Sequence, residues 1–212
     1  LKVFLHNKEE KEKEEMLKQQ EIRADFDSKT ITVYQAYNKK IALPAIKNNR
    51  FEAPFSFTRM TWIKPSYLWL MERSNWGTKS NQEYILGIKI KRDCWEKALA
   101  MGVLTDPDKT VYKSGLEWEE KFKQAKVHIQ WDPERSLKGG KLQNRTIQVG
   151  ISRFLIEEYN NDWIEEIVDV TPLTKKINQL LKEGKYKEAK RLIPKERVYN
   201  LPALIAKNIA IR

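Results

Sequence analysis

The chain has 212 residues, 41% of them apolar and 33% charged, with a formal net charge of +11. That length suits one domain, or a domain with a small appendage, and a core that needs no staple. Cys94 stands alone and His6 and His128 share no ligand spacing, which excludes a disulfide framework and argues against a protein-built zinc site.

Residues 1–24 hold six Lys/Arg and six Asp/Glu, so the whole basic excess lies beyond them. The mixed-sign run Lys8–Glu15 reads as a solvated arm or helix over 1–21, with a single α+β domain over 22–212. Thr30–Tyr37 is rich in β-branched and aromatic residues and reads as a strand. Asn38 is placed to cap a short helix through Asn48, kinked at Pro44. An irregular stretch then leads to Pro65, at the first turn of a helix over PSYLWLMERS that is apolar nearly all round and therefore central.

Gln82–Lys91 alternates Tyr84, Leu86, Ile88 and Ile90 and predicts a second strand. Asp93 with Glu96, and Ser114 with Glu117, have the spacing of capping boxes for the next two helices. The first of these helices carries Cys94 as a structural thiol and ends at Gly102. Val127–Trp131 and Arg145–Ile151 read as strands joined by the turn-rich DPERSLKGGK. Ser152 caps a helix to about Asn161, and Trp163–Val170 is a further strand. From Thr171 the pattern is helical: Pro172 starts one helix, Gly184 stops it, and 171–200 form an αα-hairpin. The predicted fold class is α+β, with mixed or antiparallel sheets around a buried helix.

Three constellations stand out. Arg59, Trp62 and Lys64 precede the buried helix, whose start attracts anions, with no acid nearby until Glu72. A phosphate there would take the free N–H groups and both cations, with Trp62 as a stacking face. Arg73, in the last turn of the same helix, reads as a cation favoured by the helix end. Gln130, Asp132, Glu134 and Arg135 gather two carboxylates, an amide and a guanidinium near one turn, where Asp132, held extended before Pro133, is placed to orient a ribose hydroxyl or act as a base. Gln35 shares a face with Ile31 and Val33, so its amide points inward and needs partners. Of the seven tryptophans, Trp69, Trp95 and Trp118 read as core anchors on helices.

The segments ITVYQAY, RMTWIKPSYLWLMERSNWG, ILGIKIKR, VHIQWDPER and IVDVTPL, in this order, resemble the domain-of-unknown-function family 4291 from about Ile22 to Pro202. That resemblance implies that Gln35, Arg59, Trp62, Lys64, Gln130, Asp132 and Arg135 matter as a set, and brings no activity with it. VYQAY is also similar to the first strand of ADP-ribosyltransferases, with Gln35 in the place of a histidine, and ILGIKIKRDCWEKAL to a later strand and helix. By that similarity NAD is the cofactor, Gln35 holds the nicotinamide ribose and Tyr67 stacks on nicotinamide. The catalytic glutamate has no counterpart near Thr146–Gln148, leaving Asp132 or Glu134 as substitutes.

Six acids and no base fill 157–169, so charge is segregated and a basic face is expected elsewhere, attractive to a polyanion. The expected partner is a nucleotide or nucleic acid. Whether the chain is an ADP-ribosyltransferase-like enzyme, a nucleic-acid-binding module or a nucleotide-binding protein without transfer chemistry stays open at this level. No apolar run approaches the roughly 18 residues that span a bilayer and no secretory signal opens the chain, so a cytoplasmic protein without a membrane partner is expected.

Overall fold

The computed structural model describes residues 20–211, so the charged arm predicted over 1–21 lies almost wholly outside the described residues. Among the described residues, nine strands and eight helices form an α+β fold. In chain order they are β1 (Arg23–Ala24), β2 (Thr30–Tyr37), α1 (Lys39–Asn48), β3 (Thr61–Ile63), α2 (Tyr67–Ser74), β4 (Tyr84–Lys91), α3 (Arg92–Ala100) and β5 (Gly102–Leu104). Next come α4 (Gly115–Gln124), β6 (Val127–Arg135), β7 (Lys141–Ile151), a one-turn α5 (Ile156–Glu158) that widens into a π-turn over Tyr159–Trp163, and β8 (Ile164–Asp169). The chain continues with α6 (Thr171–Lys182), α7 (Tyr186–Leu192), β9 (Arg197–Val198) and α8 (Ala203–Asn208).

Two sheets carry the fold. One is antiparallel with the order β2-β4-β8, and the other runs β3-β7-β6-β5, with only β5 parallel to its neighbour. Both sheets turn Val33, Leu86, Ile88, Ile129 and Val149 into one core, closed by Trp95 of α3 and by Ala42 and Ala45 of α1. The other face of the three-stranded sheet is covered as well. Tyr34 and Ile85 meet Tyr67, Leu70 and Met71 of α2, and Ile177 and Ala189 of the α6–α7 hairpin complete that second cluster. A helix this apolar buries its sides because it lies between a sheet and a helical hairpin, rather than at a surface.

The segment around β3 joins the two sheets. Its residues pair with β7 at Trp62↔Gly150 and Ile63↔Val149. One residue later the Lys64 carbonyl accepts the Tyr34 N–H at 2.7 Å. The sequence reading treated this segment as irregular, because three residues are too few to show an alternating pattern.

Several predicted boundaries move. Pro65 precedes the helix; Ser66 is its cap and accepts the Trp69 N–H at 3.1 Å. Helix α3 follows β4 without a loop, so Asp93 lies inside it and Glu96 bonds Tyr199 instead of closing a box. Ser114 caps α4 as expected, accepting the Glu117 N–H at 3.1 Å, but Glu117 reaches back to the Lys113 N–H at 2.7 Å, one residue short of a closed box. Ser152 starts no helix; a turn follows it and α5 begins four residues on. Strands β6 and β7 run on to Arg135 and from Lys141, which leaves a turn of only Ser136–Gly140. Asp132, Glu134 and Arg135 are therefore strand residues, at a bulge between Pro133 and Arg135, and not parts of a turn.

Candidate functional site

A cleft of about 530 Å³ opens where the two sheets meet, a volume within the range of small-molecule sites. Gln35 and Tyr37 reach it from β2, Thr61 and Trp62 from β3, Lys64 from the residue after it, and Arg73 from α2. Arg59 stands at its rim, and Asn38, Asn81 and Gln82 add amides.

Its floor is a closed hydrogen-bond network. The Gln35 amide nitrogen donates to Thr61 Oγ1 at 2.6 Å, to the Trp62 carbonyl at 3.0 Å and to the Tyr37 hydroxyl at 3.0 Å. Its carbonyl accepts from the Tyr159 hydroxyl at 3.2 Å. A buried amide so engaged is fixed in direction, and it locks β2 to β3 and to the π-turn. Burial pushes the Tyr37 hydroxyl up to about 12, so it stays protonated and able to donate.

The walls are cationic. Arg59, Lys64 and Arg73 line the cleft and no carboxylate does. Lys64 is 9% exposed, and among the described residues its ammonium forms no hydrogen bond or ion pair. It lies 4.8 Å from the centroid of the Trp69 ring, whose face attracts a cation. Burial pulls its pKa down to about 8; the charge of Asp132 opposes that fall and Arg73 adds to it. Trp62 packs close against β7 at Gly150, where no side chain stands in its way. A Cβ there would come within 3.0 Å of the indole and 2.6 Å of Met60 Sδ.

The start of α2 is no anion site. Glu196 accepts the Tyr67 N–H at 2.7 Å, and Glu134 accepts from the Ser66 hydroxyl at 2.9 Å. Burial raises the Glu196 carboxyl to about 8, with the charge of Glu134 adding to the rise. Two acids far away in sequence thus occupy the helix start that sequence reading left free for a phosphate. The helix end that borders the cleft is instead that of α1, whose cap Asn38 lines it and accepts the Ile41 N–H at 3.2 Å. No acid lies in the first turn of α1.

Gln35, Arg59, Trp62 and Lys64 therefore come together at the cleft, four of the seven residues that the family resemblance implies as a set. The others lie apart from the cleft's lining. Tyr67 is wholly buried with its hydroxyl 2.9 Å from Thr174, so no ligand stacks on it. Asp132 accepts from Gln130 at 3.0 Å and Gln148 at 2.7 Å on the sheet beyond Lys64. Glu134 is buried against Ser66, and Arg135 pairs with Glu72 at 3.3 Å. Arg73 is the cleft residue that sequence reading passed over as a helix-end cation. The available signal was its spacing: it stands three residues after Leu70, on the same face, and both line the cleft.

Among the described residues no group of His, Cys, Asp or Glu is arranged to hold a metal ion, and no helix is long and apolar enough to cross a membrane. No curated protein matches the sequence. A family model, described as a domain of unknown function (DUF4291), matches residues 21–199, from β1 through β9 and including every element that builds the cleft. The chain belongs to that family.

Proposed function

We propose that the cleft binds a phosphate-bearing, nucleotide-like ligand. The observation that carries this reading is Lys64, whose stem is buried and whose ammonium, without a hydrogen bond or ion pair among the described residues, lines a cleft with two arginines and no carboxylate. Three like charges gathered in a partly desolvated cleft without an acid repel one another, and a bound anion relieves that repulsion. The α1 start and the cleft's amides add dipoles and donors of the same sense. Trp62, half-buried on its glycine, offers a ring for a base.

Binding without transfer chemistry is the form of the proposal that the geometry favours. Transfer of ADP-ribose needs a carboxylate beside the ligand. Asp132 is held by two amides, and Glu134 by Ser66 and the Arg135 N–H.

Calorimetric titration with inorganic phosphate, AMP, ADP and NAD tests it. At least one binds the wild-type protein, and Lys64→Ala and Arg59→Ala each weaken that binding by about 10-fold or more, the size of a lost charge-assisted hydrogen bond. No binding of any of the four, or unchanged affinity in both variants, refutes the reading.

A further inference from the structure

The cleft uses little of the chain's positive charge. Residues 171–195 alone hold eight Lys/Arg against two Asp/Glu, and all eight of those cations are exposed. The α6–α7 hairpin buries Ile177 and Ala189, and packs Leu173, Leu180, Leu181 and Leu192 against the second core cluster. Its apolar side is thus consumed inward and its outer side is left basic. One aromatic interrupts that outer side: Tyr186 is 43% exposed, and Lys138 of the β6–β7 turn lies 4.4 Å from its ring centroid. The same turn leans on α2 through the Arg135–Glu72 pair at 3.3 Å, next to Arg73 at the cleft.

We propose that this face docks the phosphodiester backbone of a single-stranded nucleic acid, with phosphates over the hairpin's cations and an unpaired base against Tyr186. An aromatic set among lysines and arginines is the combination that holds single strands without reading their sequence. An anionic membrane fits less well. Tyr186 is the one large apolar side chain exposed in 171–195, and a hairpin lying in a lipid surface needs an apolar side turned toward it. The proposal stands apart from the cleft reading, since none of these hairpin residues lines the cleft.

Fluorescence anisotropy decides it, with labelled oligouridylate, oligothymidylate, a duplex of mixed sequence and phosphatidylserine vesicles as probes at fixed salt. The wild-type protein binds the single strands more tightly than the duplex, and a preference between the two strands tells RNA from DNA. Combined Lys187→Glu, Lys190→Glu and Arg191→Glu lowers single-strand affinity about 10-fold or more and flattens its salt dependence. Tyr186→Ala lowers it about 5-fold or more, the effect of one lost stacking contact. Both variants keep the wild-type circular-dichroism melt and its affinity for ADP. Unchanged single-strand affinity in the triple variant, duplex binding that exceeds single-strand binding, or binding of vesicles alone each overturns the proposal. Failure of ADP to bind the wild-type protein leaves it standing and counts against the cleft alone.

Discussion

Between Arg59 and Tyr67 the chain passes two regions of opposite electrostatic habit. At the cleft, cations gather without acids, and the Lys64 ammonium, beside the Trp69 ring, forms no hydrogen bond or ion pair among the described residues. Just after it, at the α2 start, acids gather: Glu196 takes the Tyr67 N–H and Glu134 the Ser66 hydroxyl. A helix start needs acceptors for its free N–H groups, and a carboxyl offers one whether or not it is ionised. Here it finds two glutamates of its own, so the region built to be satisfied is satisfied internally. The neighbouring region is left with a charge excess that folding alone does not explain. The proposed binding site rests on that excess, on the cleft side of Pro65.

The largest effect should come from the satisfied region. Tyr67 is fully buried, meets Tyr34 edge-on at 5.4 Å and bonds both Glu196 and Thr174. Tyr67→Ala is expected to cost about 3–5 kcal/mol, as for other large aromatic truncations, read from urea denaturation. Tyr67→Phe keeps the ring and folds, and its affinity for ADP should equal the wild type's. Weaker binding by Tyr67→Phe would place that hydroxyl in the ligand site and erase the contrast.

Glu196 should show a smaller effect with a distinctive pH signature. Removing it in Glu196→Ala leaves the Tyr67 N–H without its acceptor and costs about 1–2 kcal/mol. Its carboxyl titrates at about 8 when folded, above its ordinary 4.5. The folded state therefore holds a proton that the unfolded state has lost between those values. Its contribution is complete below about 4.5 and fades as pH rises through about 8. Glu196→Gln keeps an acceptor and cannot ionise, so its stability should not fall over that window. A wild-type protein whose stability is flat from pH 5 to 8, with Glu196→Gln indistinguishable from it, would show that the carboxyl is not held protonated.

The two regions differ as much in what the sequence discloses. Strand β2, the Asn38 cap, the Ser114 cap and the apolar α2 are local patterns, and local patterns are legible in order along the chain. Gln35 was legible too, because its alternation with Ile31 and Val33 fixes the face it occupies. The acids at α2 were not. Glu196 lies 129 residues from the N–H it accepts and Glu134 lies 68 from the hydroxyl, and no spacing rule spans such distances. A helix start that looks vacant in sequence can therefore be filled from anywhere. Arg59 and Lys64 line the cleft instead of the helix start assigned to them. The carboxylates of DPER lost their assigned place through another route. They read as a turn, because proline and charge together mark turns, yet pairing with β7 carries β6 past the proline through a bulge.

The finest separation of the two regions is Lys64→Met, where stability and binding should move independently. Methionine follows the course of the lysine stem and leaves out the ammonium, so the variant loses no ion pair and gains relief from desolvation. Its melting temperature should stay level or rise. Because Lys64 titrates at about 8, below its ordinary 10.5, the wild-type protein carries that charge at neutral pH and sheds it as pH climbs through 8. Affinity for an anionic ligand such as ADP should fall across that interval, and the bound phosphate should carry the fall to higher pH by favouring the charged form. In Lys64→Met the affinity should be about 10-fold or more lower, and its decline near pH 8 should be absent. Stability points the other way: the unfolded lysine holds its proton up to about 10.5, so wild-type stability should rise between about 8 and 10.5, and the variant should lack that rise. A variant that melts earlier yet binds ADP with the same pH profile would make Lys64 a structural cation, and the cleft would lose its claim to a ligand.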